Sequence, residues 1–161
     1  MRRHRRYTAI GLEGPQEVID VLHRLVPSAV VFVADVERVR DFYCGVAAMT
    51  ARHQDGDHAV LDLDGFELVV HRLSGEPAVR PNALGQVPVR EESYLKLCLP
   101  VASIASARRA ADALGGAIKA AEFEWHGRGF RACDGHDPEG NVFQVRERVA
   151  EPGPAPDTGR V

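Results

Sequence analysis

The stretch His58-Ala59-Val60-Leu61-Asp62-Leu63-Asp64-Gly65-Phe66-Glu67-Leu68-Val69-Val70-His71 decides how this chain folds. Two alternating apolar runs flank Asp64-Gly65, a dipeptide that favours a two-residue hairpin turn because it tolerates positive φ at both central positions. A loop of that length fixes the register. Leu63 faces Phe66, Asp62 faces Glu67, Leu61 faces Leu68, Val60 faces Val69 and His58 faces His71. Successive strand side chains point to opposite faces. One face therefore carries Ala59, Leu61, Leu63, Phe66, Leu68 and Val70 and must pack on a helix. The other carries His58, His71, Val60, Val69, Asp62 and Glu67; half polar, it meets water or a ligand.

Upstream of the hairpin, the short β-branched run Ala29–Ala34 reads as a buried strand, and Asp35 suits the N-cap of a helix. That helix sets Val36, Val39, Phe42, Tyr43 and Val46 on one face. Thr50–Gln54 reads as a short strand closed by the Asp55-Gly56-Asp57 turn. Downstream, residues 74–92 hold Pro77, Pro81 and Pro88 and read as a linker. The order then repeats. Tyr94–Leu99 alternates, with its leucines inward and Tyr94, Lys96 and Cys98 on the other face. Val101–Leu114 is an alanine-rich helix ended by Gly115-Gly116, Ala117–Phe123 is strand-like, and Gly129–Cys133 and Val142–Arg148 are the last strands. The halves superpose at an offset of about 66, which sets Ser28 on Tyr94 and Val31 on Leu97.

The expected fold class is thus α+β, with two tandem βαβββ modules at 28–73 and 93–148 joined by linker 74–92. Residues 1–27 add a basic arm (Arg2, Arg3, Arg5, Arg6) and a helix from Pro15 to Val26, stopped by Pro27. Residues 149–161, rich in Pro and Gly, are expected to be a disordered tail.

Composition narrows the function classes. The chain has 161 residues, 45% hydrophobic and 27% charged, with a formal net charge of −3. That balance belongs to a globular domain and lacks the clustered cationic excess of a nucleic-acid binder. No apolar run is long enough for a membrane span, and the basic N-terminus is not followed by the apolar stretch of a secretory signal. Cys44, Cys98 and Cys133 are odd in number and widely spaced, which suggests reduced thiols and a cytoplasmic location rather than a disulfide framework.

Two stretches carry a family resemblance: Val31-Phe32-Val33-Ala34-Asp35-Val36-Glu37-Arg38-Val39-Arg40-Asp41-Phe42-Tyr43 and Asp137-Pro138-Glu139-Gly140-Asn141-Val142-Phe143-Gln144. With the repeated module order, they resemble the vicinal oxygen chelate superfamily, which includes glyoxalase I, the bleomycin- and fosfomycin-resistance proteins and the extradiol dioxygenases. The resemblance spans about residues 28 to 148. It implies that each module curls into half of a curved mixed-sheet cup, that the cup holds a small molecule, and that the protein is a homodimer. It also implies where a metal would sit in metal-dependent members. Those positions carry Ser28, Tyr94, Gln144 and, near by, Val69, a poor set for a divalent ion. No metal is expected there. A divalent metal stays possible at a displaced pair, His58 and His71.

On that cup the candidate ligand-binding residues are Val30, Phe32, Val60, Val69, Tyr94, Lys96, Trp125, Arg131, Gln144 and Arg146. Lys96, Arg131 and Arg146 point to an anionic or carbonyl-bearing ligand, and Trp125 offers a stacking surface. Candidate acid–base residues are His71, Glu67, Tyr94 and His126. Asp62 and Glu67 lie four residues along the strands from the histidine pair, roughly 13 Å away, too far to share one ion with it. Three functions follow: a metal-independent small-molecule binder, an enzyme using a displaced metal or metal-free acid–base chemistry, and a non-catalytic partner subunit.

Overall fold

The computed structural model describes residues 26–75, 82–83 and 87–149. Most of the expected N-terminal arm and helix, much of the linker and nearly all of the tail lie outside the described residues. The first module runs β1 (Ser28–Val33), α1 (Val36–Ala47), β2 (Thr50–Gln54), β3 (His58–Leu63) and β4 (Phe66–Arg72). The second runs β5 (Leu97–Val101), α2 (Ile104–Ala113), β6 (Ala117–Ile118), a 3-10 turn at Ala121–Phe123, β7 (Trp125–His126), β8 (Phe130–His136) and β9 (Val142–Arg148). Each module folds into its own open sheet, ordered β1-β4-β3-β2 and β5-β9-β8-β6, with β7 also pairing β8. The first strand of each module lies parallel to its last, β1 to β4 and β5 to β9.

The hairpin forms in the expected register, from Leu63 opposite Phe66 to His58 opposite His71. Asp64 and Gly65 both take positive φ, 46° and 87°, as a type I′ turn requires. Ala59, Leu61, Leu68 and Val70 are fully buried beneath α1. Asp35 caps α1 by accepting from the Arg38 N–H, and Val36, Val39, Phe42, Tyr43 and Val46 bury the inner stripe. The two helices pack on each other. Phe42, Tyr43 and Phe143 meet edge to face at 5.4 to 6.0 Å, which carries one core through both modules.

The turn between β8 and β9 ties the modules together. Asp137 accepts from the backbone N–H groups of Glu139 and Asn141, from the Asn141 amide and, at 3.3 Å, from the Tyr43 hydroxyl of α1. Glu139 reaches the other way: its carboxylate accepts from the N–H groups of Ala34 and Asp35, at the entry to α1. Burial pushes the Asp137 carboxyl up despite these four donors, and it pushes the Tyr43 phenol up as well.

The second module departs from the sequence expectation by a slide of two residues. Ser103, accepting from the Ser106 N–H, caps α2, so Val101 completes β5 rather than opening the helix. The strand therefore starts at Leu97. Tyr94 lies ahead of it in a bend, fully exposed, and Leu95 is 70% exposed rather than inward. The caps Asp35 and Ser103 stand 68 residues apart, so Ser28 corresponds to Lys96 and not to Tyr94. Pairing agrees: Val30 opposes Val69 in the first module as Cys98 opposes Gln144 in the second. Two further segments differ. The strand expected over Ala117–Phe123 stops at Ile118, and Trp125-His126, between the expected strands, is the short strand β7.

Candidate functional site

Each sheet has one face under a helix and one open face. On the first sheet the open face carries Ser28, Val30 and Phe32 of β1, Glu67, Val69 and His71 of β4, and His58, Val60 and Asp62 of β3. Val30 and Phe32 are 51% and 53% exposed, large for apolar side chains in a strand. His71 and Glu67 are both on this face, four residues apart on one strand. Asp62 lies opposite Glu67, but its Oδ2 accepts from the Arg52 guanidinium at 2.9 Å, so it is ion-paired across to β2.

The second sheet's open face is built from alternate positions of β9 and their partners on β8. Gln144 opposes Asp134, Arg146 opposes Ala132 and Arg148 opposes Phe130. Lys96 reaches this face from just ahead of β5, with Nζ 2.9 Å from Asp134 Oδ2. Asp134 also accepts from the Gln144 amide at 3.1 Å, and Gln144 Oε1 accepts from Arg146 Nε at 2.8 Å. Burial works to raise Asp134, but the Lys96 ammonium and the Gln144 amide outweigh it and hold the carboxyl below its ordinary range. Arg146 lies 4.8 Å over the Phe130 ring and donates to Cys98 Sγ at 3.1 Å. Trp125, opposite Ala132 on β7, meets Phe130 edge-on at 5.6 Å.

This row opens into a cleft of about 620 Å³ lined by Pro100, Arg128, Phe130, Arg146, Arg148 and Val149 together with Gly129. Among the described residues no carboxylate lines it. Arg128 and Arg148 have no ion-pair partner among the described residues. Sequence reasoning missed Arg128, Phe130 and Arg148. The period-2 step from Gln144 through Arg146 leads to Arg148 and was the signal for it; Phe130 follows only once the register of β8 against β9 is known.

Three expected site residues stand elsewhere. Arg131 opposes Glu147, one step out of phase with Gln144, and so projects from the other side of the sheet. There it pairs with Glu147 at 3.0 Å and Glu124 at 3.4 Å. His126 opposes Arg131 and shares that side, away from Trp125. Tyr94 precedes the strand. The acid–base set named from sequence is thus divided: only His71 and Glu67 share a face.

A family model described as a glyoxalase-like domain matches residues 28–146. The chain belongs to the glyoxalase-like family. It is also similar to solved structures of the wider vicinal oxygen chelate superfamily. A glyoxalase/bleomycin resistance protein from Albidiferax ferrireducens T118 aligns over 76% of this chain and 98% of its own, with 17% identity and a TM-score of 0.56. An integron cassette protein from the mobile metagenome of V. cholerae aligns over 78% and 95%, with 23% identity and a TM-score of 0.52. A point mutant of the fosfomycin resistance protein FosX from Listeria monocytogenes, solved with Mn(II) and 1S,2S-dihydroxypropylphosphonic acid, aligns over 79% and 91%, with 14% identity and a TM-score of 0.54. No protein of curated function matches the chain.

The positions at which the family resemblance implies metal ligands fall, with the corrected offset, on Ser28, Val69, Lys96 and Gln144. Their chemistry does not fit a divalent ion. Valine offers no lone pair, the Lys96 ammonium is paired with Asp134, and the Gln144 carbonyl already accepts from Arg146.

Proposed function

We propose that this glyoxalase-like protein binds a small, anionic, partly aromatic molecule without a metal ion. The observation that carries the reading is the cleft of about 620 Å³ lined by Arg128, Arg146 and Arg148 beside Phe130, with no carboxylate among its described lining residues. The volume lies within the range of small-molecule sites, which combine apolar walls with a few convergent polar groups. Guanidinium groups suit carboxylate, phosphate and phosphonate because their donor pairs match two anionic oxygens. Phe130, Pro100 and Val149 supply the apolar wall, Trp125 backs Phe130, and the Lys96–Asp134–Gln144–Arg146 chain fixes the direction of Arg146. Binding of this kind sequesters its ligand and needs no turnover. The half-exposed Val30 and Phe32 support the further reading that a second copy or the ligand's apolar part covers the first sheet, in keeping with a homodimer.

The test is equilibrium binding of matched pairs to the full chain in chelator: benzoate against benzamide, and phenylphosphonate against its neutral diethyl ester. The anions are expected to bind and the neutral partners not, with affinity falling as salt rises. Equal behaviour within each pair would remove the anion reading.

A further inference from the structure

The turn between β2 and β3 gathers His53, Asp55 and His58, with one ligand atom from each lying within 4.8 Å of the others. We propose that this trio is a binding site for a borderline transition-metal dication of the zinc, cobalt or nickel class. None of the three stands at a position used by the family's own metal centre, and the site lies in the first module while the arginine cleft lies in the second.

A register fault brings the ligands together. Ala51 opposes Leu61 but His53 opposes Val60, so Arg52 is an extra residue in β2, a β-bulge. The bulge turns His53 to the open face, beside His58, and sends Gln54 to the helix side, where it accepts from Arg40. The His53 and His58 rings then stand 4.9 Å apart. Asp55 lies between them, with Oδ2 3.4 Å from His53 Nε2 and 3.1 Å from His58 Nδ1.

Asp55 is oriented as a ligand. Its Oδ1 accepts from the N–H groups of Asp57 and His58, at 2.8 and 2.9 Å, which leaves Oδ2 turned to the imidazoles. Hydrogen bonding of the ligand's other oxygen is the outer-shell support that metal sites use. The turn is also clamped from β4. Arg72 donates its backbone N–H to the Asp57 carbonyl at 2.7 Å and its guanidinium to the Gly56 carbonyl at 2.7 and 3.0 Å. His71 stacks on His58 with ring centroids at 6.1 Å and an interplanar angle of 21°, and its Nδ1 is engaged with the Arg72 carbonyl at 2.8 Å. His58 is thereby held in place while His53 and Asp55 stay exposed, so water completes the coordination shell. Two imidazole nitrogens and one carboxylate oxygen select this class of ion over calcium or magnesium.

The experiment is titration of Zn(II), and separately Co(II), into chelator-treated, tag-free full chain by calorimetry and visible absorption. One equivalent is expected to bind, with Co(II) giving the absorption of a mixed nitrogen–oxygen site. H53A, D55N and H58A should each weaken binding at least tenfold. H53A, at an exposed position, is the variant that leaves folding unaffected. Absence of stoichiometric binding at 100-micromolar metal, or binding of undiminished strength in H53A and D55N, would overturn the proposal. Because no residue of the arginine cleft takes part, failure here leaves the anion reading standing, and the reverse holds too.

Discussion

Lys96 Nζ lies 2.9 Å from Asp134 Oδ2, an ion pair at a position where the family resemblance implies a metal ligand. Asp134 in turn holds Gln144, and Gln144 holds Arg146. That chain of side chains engages Lys96 and Gln144 and holds the Arg146 guanidinium at the cleft.

If Arg146 is the principal anion contact, replacing it with a side chain of similar length but no charge should cost affinity and little stability. R146M is expected to weaken benzoate or phenylphosphonate binding at least tenfold, equivalent to about 1.4 kcal/mol. Calorimetry reads the affinity, and a thermal melt confirms that the fold is kept.

The Asp134 carboxyl titrates below its ordinary range, which has a definite sign for stability. A depressed folded-state pKa contributes stability that is present above the unfolded value of about 3.9 and is lost as pH falls through the lower folded value. Wild type should therefore exceed D134N in denaturant midpoint at pH 6, and the gap should narrow as pH falls below about 4. A gap independent of pH would show that the Asp134 charge does not contribute.

Glu139 is buried and serves two N–H groups at the entry to α1. E139A removes the acceptor shared by both donors at a partly buried site. The expected cost is at most about 2–6 kcal/mol, at about 1–3 kcal/mol for each orphaned donor, and smaller where water reaches one of them. Chemical denaturation should show this as a lower midpoint with an unchanged slope.

Tyr43 and Asp137 give a graded pair. Y43F removes one of four donors to Asp137 and should cost about 1 kcal/mol, the net worth of an ordinary hydrogen bond. D137A strands the hydroxyl of Tyr43 and the N–H groups of Glu139 and Asn141 together, so its loss of stability should be several times larger. Equal losses in the two variants would argue that the turn is held by something other than Asp137.

Local chemistry made the first module readable. Asp64-Gly65 strongly favours one conformation, which set the register of β3 and β4, and Asp35 is a strong cap, which set the start of α1. The second module lacked such marks at its start. Tyr94-Leu95-Lys96-Leu97-Cys98-Leu99 alternates equally well at either register, and only the capping bond from Ser106 to Ser103 shows where α2 begins. That ambiguity of two residues put Tyr94 in the place of Lys96. A one-residue error of phase likewise put Arg131 on the open face, because nothing local distinguishes the two faces of β8. His53 was missed for a different reason. A bulge at Arg52 breaks the period of two, and strand alternation read from sequence assumes that the period holds.

The most direct test of the central claim is benzoate and phenylphosphonate binding to wild type and R146M, each measured in excess chelator and again with Zn(II) or Mn(II) added. The account predicts binding to wild type in chelator, the same affinity with metal present, and a loss of at least tenfold in R146M under both conditions. Binding that appears only when a divalent ion is supplied, or that is indifferent to Arg146, would contradict it.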